Sequence, residues 1–249
     1  MVAFRTGWRT LAVRFLASGD TALVVEFGDV IDRHVSEQVL GLASRLRAVA
    51  LPGVVELLPT FRSLMVHYDP VRISGADLRS AIAALLTGET APGQTKLWRV
   101  PVCYEGELAP DLAEVAAATG LHPQEVVALH AKTRYHVYMV GFLPGYPYMG
   151  DLPARLVMPR RADPRVRVPP GAVAIATTMT AIYPLESPGG WHLIGTTPIR
   201  IFDAAWEQPA LFAPGDAVAF EPVDRRTFDA LQDAVRRGAY RLDPERDAA

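Results

Sequence analysis

Beyond Thr133 the hydrophobic pattern loses helical spacing and breaks into short runs set off by proline and glycine. The runs "RYHVYMV", "VAIAT", "HLIG", "PIRIF" and "AVAF" are too short for helices, and β-branched and aromatic residues recur in them. Short strands at this spacing, with turn signals between them, predict a β-barrel or closed sandwich for the second half of the chain.

The first half follows a different period. After the turn at Gly19-Asp20, "TALVVEFG" reads as a strand ended by Gly28. Val35, Val39, Leu42, Leu46 and Val49 then recur at helical spacing until Pro52-Gly53 stops them. "VVELL" and "SLMVHY" follow as strands joined through "PTFR". Ser74 caps a second helix, with Asp77 three residues on and Leu78, Ile82 and Leu85 as its apolar stripe. "KLWRVPV" closes the series as a strand, and a further strand near Leu11 to Leu16 is placed to pair with the first. The order β-α-β-β-α-β predicts a ferredoxin-like split βαβ arrangement. The composition of "GETAPGQ" marks a boundary. The expected fold class is therefore α+β, with a ferredoxin-like domain over residues 1–95 and a β-barrel domain over 96–249.

Two short helical patterns lie between Pro110 and Ala131, one ending at Gly120 and one starting at His122-Pro123. A last amphipathic helix carries Phe228, Leu231 and Val235, with Arg225, Arg226, Arg236 and Arg237 on its solvated face.

Composition removes several function classes. A net charge of -2 and a pI near 6.3 give no electrostatic case for nucleic acid. No polybasic run addresses a membrane surface, and Arg5, Arg9 and Arg14 interrupt the N-terminal apolar residues. Cys103 is the single cysteine, so neither an intramolecular disulfide nor a cysteine zinc site can form. The expectation is a cytoplasmic protein. Its six histidines are scattered, and no metal site is expected. Phosphate loops, HExxH and GxSxG are absent from the sequence.

Three stretches can carry chemistry. Residues 151–170 hold Arg155, Arg160, Arg161, Arg165 and Arg167 against Asp151 and Asp163. Planar guanidinium groups suit carboxylate, carbamate or phosphate, and the interspersed prolines stiffen the segment. A solvated loop with surface ion pairs would have the same composition. In "GFLPGYPYMG", Pro144-Gly145 suits a type II turn and Tyr146-Pro147 is a candidate cis bond. Phe142, Tyr146 and Tyr148 could wall a pocket or plug the barrel. In "YPLESPGGWHLIG", Tyr183, Glu186 and His192 can transfer protons. Gly189 and Gly190 can offer backbone N–H groups to an oxyanion or form a tight turn.

The blocks "YHVYMVGFLPGYPYMGDL", "MPRRADPRVRVPPGAVAIA", "YPLESPGGWHLIGTTPIRIFD" and "APGDAVAFEPV", with "GDTALVVEFG" upstream, together resemble the 5-oxoprolinase B-subunit family. This is also called the KipI or allophanate hydrolase subunit 1 family. The resemblance covers roughly residues 18 to 223. It implies a cyclophilin-like β-barrel at the C-terminus and a larger partner, the C subunit, of the allophanate hydrolase subunit 2 type. With the A subunit present as well, the implied activity is ATP-dependent opening of 5-oxoproline to glutamate, the ATP being bound somewhere in the complex. The same resemblance also admits an acceptor-side carboxyltransferase module of a urea amidolyase-like system, or an inhibitor of a histidine kinase. On this basis Arg160, Arg161 and Arg165 are the expected anion binders. Phe142, Tyr146, Tyr148, Gly189, Gly190 and Trp191 are the expected walls, and Glu186, His192 and Tyr183 the proton-transfer groups. Asp151, Thr177, Met179, Ala181 and Thr196 stand where the family pattern has Gly, Gly, Gln, Gly and Arg. The loss of an amide and a guanidinium removes hydrogen-bond donors for an anion.

Overall fold

A computed structural model describes residues 13–87 and 95–246. The "GETAPGQ" boundary and the expected strand start at Leu11 lie outside the described residues. The chain divides into two compact units, Met1–Gly93 and Gln94–Ala249. The first contains β1 (Arg14–Ala17), β2 (Ala22–Glu26), α1 (Arg33–Val49), β3 (Val54–Pro59), β4 (Ser63–Tyr68) and α2 (Gly75–Leu85). The strands form one antiparallel sheet in the order β1-β2-β4-β3. Alternation directs Leu23, Val25, Leu64 and Val66 into the core formed with Val39, Leu42, Leu78 and Ile82 of the helices. The caps are local: the Asp32 carboxylate accepts from the His34 and Val35 amides, and the Ser74 hydroxyl from the Asp77 amide.

"KLWRVPV" does not join this sheet. The place beside β2 is taken by β1, with Phe15 opposite Val25. The strand β5 (Lys96–Val102) lies instead in the second unit, parallel to β13 (Ala217–Pro222). Leu97, Trp98, Val100 and Val102 are all buried. A strand apolar on both faces needs a core on each side, which a sheet with helices on one face does not supply.

The second unit continues with α3 (Leu112–Thr119), α4 (Pro123–Lys132), β6 (Arg134–Val140), β7 (Pro147–Gly150) and β8 (Arg165–Val168). Then come β9 (Ala172–Ala176), β10 (Met179–Ile182), β11 (Ser187–Gly189), β12 (His192–Thr196), β13, α5 (Arg225–Arg236) and β14 (Glu245–Arg246). Eight strands form a mixed sheet in the order β12-β9-β10-β7-β6-β13-β5-β14, while β8 and β11 make a separate ribbon. The sheet curls until Cys103, just past β5, exchanges backbone hydrogen bonds of 2.9 and 3.0 Å with Thr196 at the end of β12. The result is an α+β fold, an N-terminal antiparallel sheet followed by a curled half-barrel.

Two local expectations fail. "PIRIF" is not a strand. Pro198 has no N–H to give, the Ile199 amide is spent on the Thr197 hydroxyl, and Phe202 makes only an isolated bridge to Ala210. Ile199 and Ile201 are nevertheless buried in the core. The described residues contain no cis peptide bond, so Tyr146-Pro147 is trans.

Inside the half-barrel His130 is fully buried, its ring stacked on Phe220 with centroids 4.5 Å apart. Thr180 donates its hydroxyl proton to the Ala174 carbonyl, so it accepts from His130 Nε2 at 2.9 Å. His130 Nδ1 then accepts from the Tyr104 hydroxyl at 2.8 Å. The ring is neutral: burial depresses its pKa to about 3.

Candidate functional site

Adjacent strands gather the aromatic residues of the two proline-glycine stretches. Leu143 to Tyr146 forms a tight turn, with a Tyr146 N–H to Leu143 carbonyl bond of 3.0 Å and Gly145 at a positive φ of 77°. The register of β7 on β10 sets Tyr148 opposite Ala181, and Tyr183 follows two residues later. Tyr146 sits at the centre of the cluster. Its ring lies 5.0 Å from Tyr148, 5.1 Å from Tyr183, 5.6 Å from Phe142 and 6.1 Å from Trp191, centroid to centroid. Tyr146, Tyr183 and Trp191 are buried, Tyr148 is half-buried and Phe142 is exposed at a left-handed φ of 71°. Gly189 has a steric reason: a methyl group there would collide with the Tyr183 hydroxyl.

Burial pushes all three tyrosine hydroxyls upward. For Tyr146 the neighbouring Tyr183 and Tyr148 add to the rise, and the positive charge of Arg160 opposes it. Tyr148 and Tyr183 are also raised chiefly by burial, against the same arginine. At neutral pH these are phenols that donate hydrogen bonds. Arg160 is exposed and makes no hydrogen bond or ion pair among the described residues. It is an unpaired guanidinium close enough for its charge to reach the hydroxyls of Tyr146, Tyr148 and Tyr183.

Arg161 and Arg165 are placed differently. Both reach Asp111, which is 2% exposed and sits just before α3. Arg165 donates to its two carboxylate oxygens at 2.9 and 2.5 Å, and Arg161 donates to Oδ1 at 3.2 Å. The Leu193 amide donates to Oδ2 at 2.6 Å. Arg161 also donates to Glu114 at 3.0 Å, and its amide donates to the Gly190 carbonyl at 2.8 Å. His192 Nε2 donates to the Pro159 carbonyl at 3.0 Å, which leaves Nδ1 buried without a hydrogen bond, 3.9 Å from Glu114. Two cations thus face two carboxylates. Glu186 lies elsewhere, in an exposed bidentate pair with Arg167 across the β8–β11 ribbon.

Asp111 and Glu114 were invisible in the sequence. An aspartate before a helical pattern signals an N-cap, yet this one makes no side-chain capping bond. Its carboxylate is spent on residues 50 and 54 positions away. The departures from the family pattern also gain positions. Thr177 and Asp151 occupy left-handed backbone at φ 52° and 71°, conformations that favour glycine. Met179 and Ala181 are buried in β10, and the Thr196 hydroxyl donates to the Leu108 carbonyl at 2.7 Å. Thr196 also lines a cavity of about 510 Å3 between the segment 196–204 and α5, whose wall includes Tyr183 but not Tyr146, Trp191 or Arg160.

Residues 13–212 match the model of the carboxyltransferase domain, subdomain C and D. The chain is 36% identical to the B subunit of 5-oxoprolinase from Bacillus subtilis, over 86% of its own length and 95% of that protein. The chain belongs to the 5-oxoprolinase B-subunit family. The corresponding protein of Escherichia coli O157:H7 is 40% identical over 82% of this chain and 93% of that one. Among solved structures, TTHA0988 superposes with a TM-score of 0.73 at 37% identity, over 82% of this chain but only 40% of that longer one. The aromatic cluster, the arginine segment and the Gly189-Gly190 turn all lie within the residues matched by the family model. No helix among the described residues is long and apolar enough to cross a membrane.

Proposed function

We propose that this chain is the B subunit of an ATP-dependent 5-oxoprolinase, which converts 5-oxo-L-proline, ATP and water to L-glutamate, ADP and phosphate. It acts in the cytoplasm with the C and A subunits. Its half-barrel is a cyclophilin-like barrel domain over residues 96–249, preceded by a ferredoxin-like domain over 1–95 whose edge strand comes from the N-terminal side. The observation that carries the reading is the unpaired, exposed Arg160 close to half-buried Tyr148, whose ring lies on the buried rings of Tyr146 and Trp191. A flat five-membered lactam packs on aromatic rings, and its carboxylate pairs with the guanidinium.

The roles follow from environment. Phe142, Tyr146, Tyr148 and Trp191 form the wall, and Gly189 and Gly190 keep the turn close to it. Tyr183 is a phenol at neutral pH and donates to the developing oxyanion. Glu186, the exposed carboxylate of the same segment, is the proton acceptor once Arg167 releases it. Arg161, Arg165 and His192 hold the loop from behind through Asp111, Glu114 and the Pro159 carbonyl. ATP supplies a phosphoryl group that turns a stable lactam oxygen into part of a good leaving group. With Arg161 and Arg165 committed to Asp111, this surface offers one free guanidinium, enough for one carboxylate and too little for a triphosphate. The nucleotide is therefore bound away from this surface.

The test is glutamate release and ATP hydrolysis with this chain alone, then with the co-expressed C and A subunits. Activity that needs all three, with a raised KM for 5-oxoproline in Arg160→Ala, supports the reading. Full activity without this chain overturns it.

A further inference from the structure

We infer that Asp111 is a positioning residue for substrate binding, acting on Arg160 through the residues that flank it; this rests on the reading of Arg160 given above. Arg160 is the one arginine of the segment whose place is set wholly by its neighbours. On one side the Pro159 carbonyl accepts from His192 Nε2 at 3.0 Å. On the other, Arg161 is fixed twice, by its amide on the Gly190 carbonyl at 2.8 Å and by its side chain on Asp111 and Glu114 at 3.2 and 3.0 Å. Arg165, four residues beyond Arg161, closes the segment on the same carboxylate at 2.9 and 2.5 Å. Asp111 therefore anchors the segment through both arginines. It anchors the strand that carries His192 as well, because its carboxylate accepts from the Leu193 amide and its own amide donates to the Leu193 carbonyl at 3.0 Å.

The two sides of the loop thus converge on a single buried carboxylate. Glu114 alone cannot replace it, since its side chain is 57% exposed and its pull on Arg161 is screened by solvent. Asp111 is 2% exposed, so its bonds are shielded and geometrically demanding. A long, exposed side chain such as Arg160 has many rotamers, but two pinned neighbours give it a fixed backbone origin and direction. An error of about 1 Å in that origin is enough to cost on the order of a hundredfold in a positioned site. Asp111 touches no substrate in this arrangement. It holds the residues on either side of Arg160, and through them the point from which its side chain leaves the backbone.

The experiment is a double-mutant cycle in the assembled complex of all three chains, with KM for 5-oxoproline and kcat measured separately. Asp111→Asn keeps the shape and removes the charge. Arg161→Gln is the second variant, since it frees the residue beside Arg160 while Asp111 stays paired with Arg165 and Leu193. Each is expected to raise KM by about tenfold with a much smaller change in kcat. Neither should raise it further in an Arg160→Ala background. If Arg160→Ala raises KM but both other variants leave it unchanged, or add to it fully, Asp111 is only structural and the inference fails. If Arg160→Ala itself leaves KM unchanged, the reading of the site fails, and the inference with it.

Discussion

Arg165 grips Asp111 through both carboxylate oxygens, at 2.9 and 2.5 Å, across 54 residues of sequence. That single pair joins the segment before α3 to the start of β8. Two further donors, Arg161 and the Leu193 amide, make Asp111 the shared acceptor for the arginine segment and for β12.

Removing this acceptor leaves two partly buried guanidinium groups and a buried amide without it. Asp111→Ala is therefore expected to destabilise the protein by about 3 kcal/mol, read as a lowered denaturant midpoint. A loss below about 1 kcal/mol would show that the network is loosely coupled.

Glu186 tests the opposite regime. Its pair with Arg167 is exposed on both sides, so Glu186→Gln should cost less than about 1 kcal/mol of stability. As proton acceptor its loss should lower kcat by about a hundredfold or more in the assembled complex, with KM little changed. Unaltered kcat removes it from the mechanism.

Gly189→Ala should disturb the aromatic face without touching a charge. The added methyl must displace the Tyr183 hydroxyl, which in turn shifts the Tyr146 ring packed edge-on 5.1 Å away. Changed near-ultraviolet circular dichroism and lost activity of the complex are expected. An unchanged spectrum would mean that the turn yields instead.

Thr177 should tolerate glycine better than itself. At φ 52° a β-branched side chain is strained by about 1 to 2 kcal/mol, whereas glycine adds unfolded-state entropy of roughly 1 kcal/mol or less. Thr177→Gly is expected to be neutral or to stabilise by up to about 1 kcal/mol in thermal denaturation. A clear destabilisation would mean that the Thr177 hydroxyl bond to the Ala176 carbonyl outweighs the strain.

His130 gives the pH dependence. Its folded pKa is depressed to about 3 from an ordinary 6.5, so between those values the unfolded chain binds the proton and the folded one does not. The contribution is complete above about pH 6.5 and is lost progressively as pH falls toward 3. The urea midpoint should fall from pH 7 to pH 4, and His130→Gln should flatten that slope. An identical slope in the variant would assign the acid sensitivity to other groups.

Local patterns are legible where each residue's partner is close in sequence. The stripe of α1, the Ser74 cap, the turn at Pro144-Gly145 and the β-rich second unit all follow from spacing and backbone preference within a few residues. "KLWRVPV" was recognisable as a strand, but its sheet was not, because its parallel partner β13 lies more than 100 residues on. "PIRIF" misled for a related reason. Its alternating Ile199 and Ile201 are buried as a strand's would be, yet Pro198 and the Thr197 hydroxyl occupy the start of its backbone, and its far end pairs only through the isolated Phe202–Ala210 bridge.

By itself the sequence determined which residue types were available: the arginine segment, the tyrosines and Trp191, and the glycine that Tyr183 needs beside it. Only the tertiary structure decided which arginine is free. Charge, size and neighbours make Arg160, Arg161 and Arg165 alike along the chain, and one buried carboxylate from a distant segment separates them. A buried ion pair depends on which groups are removed from water together, and that is a property of the folded packing, not of local spacing.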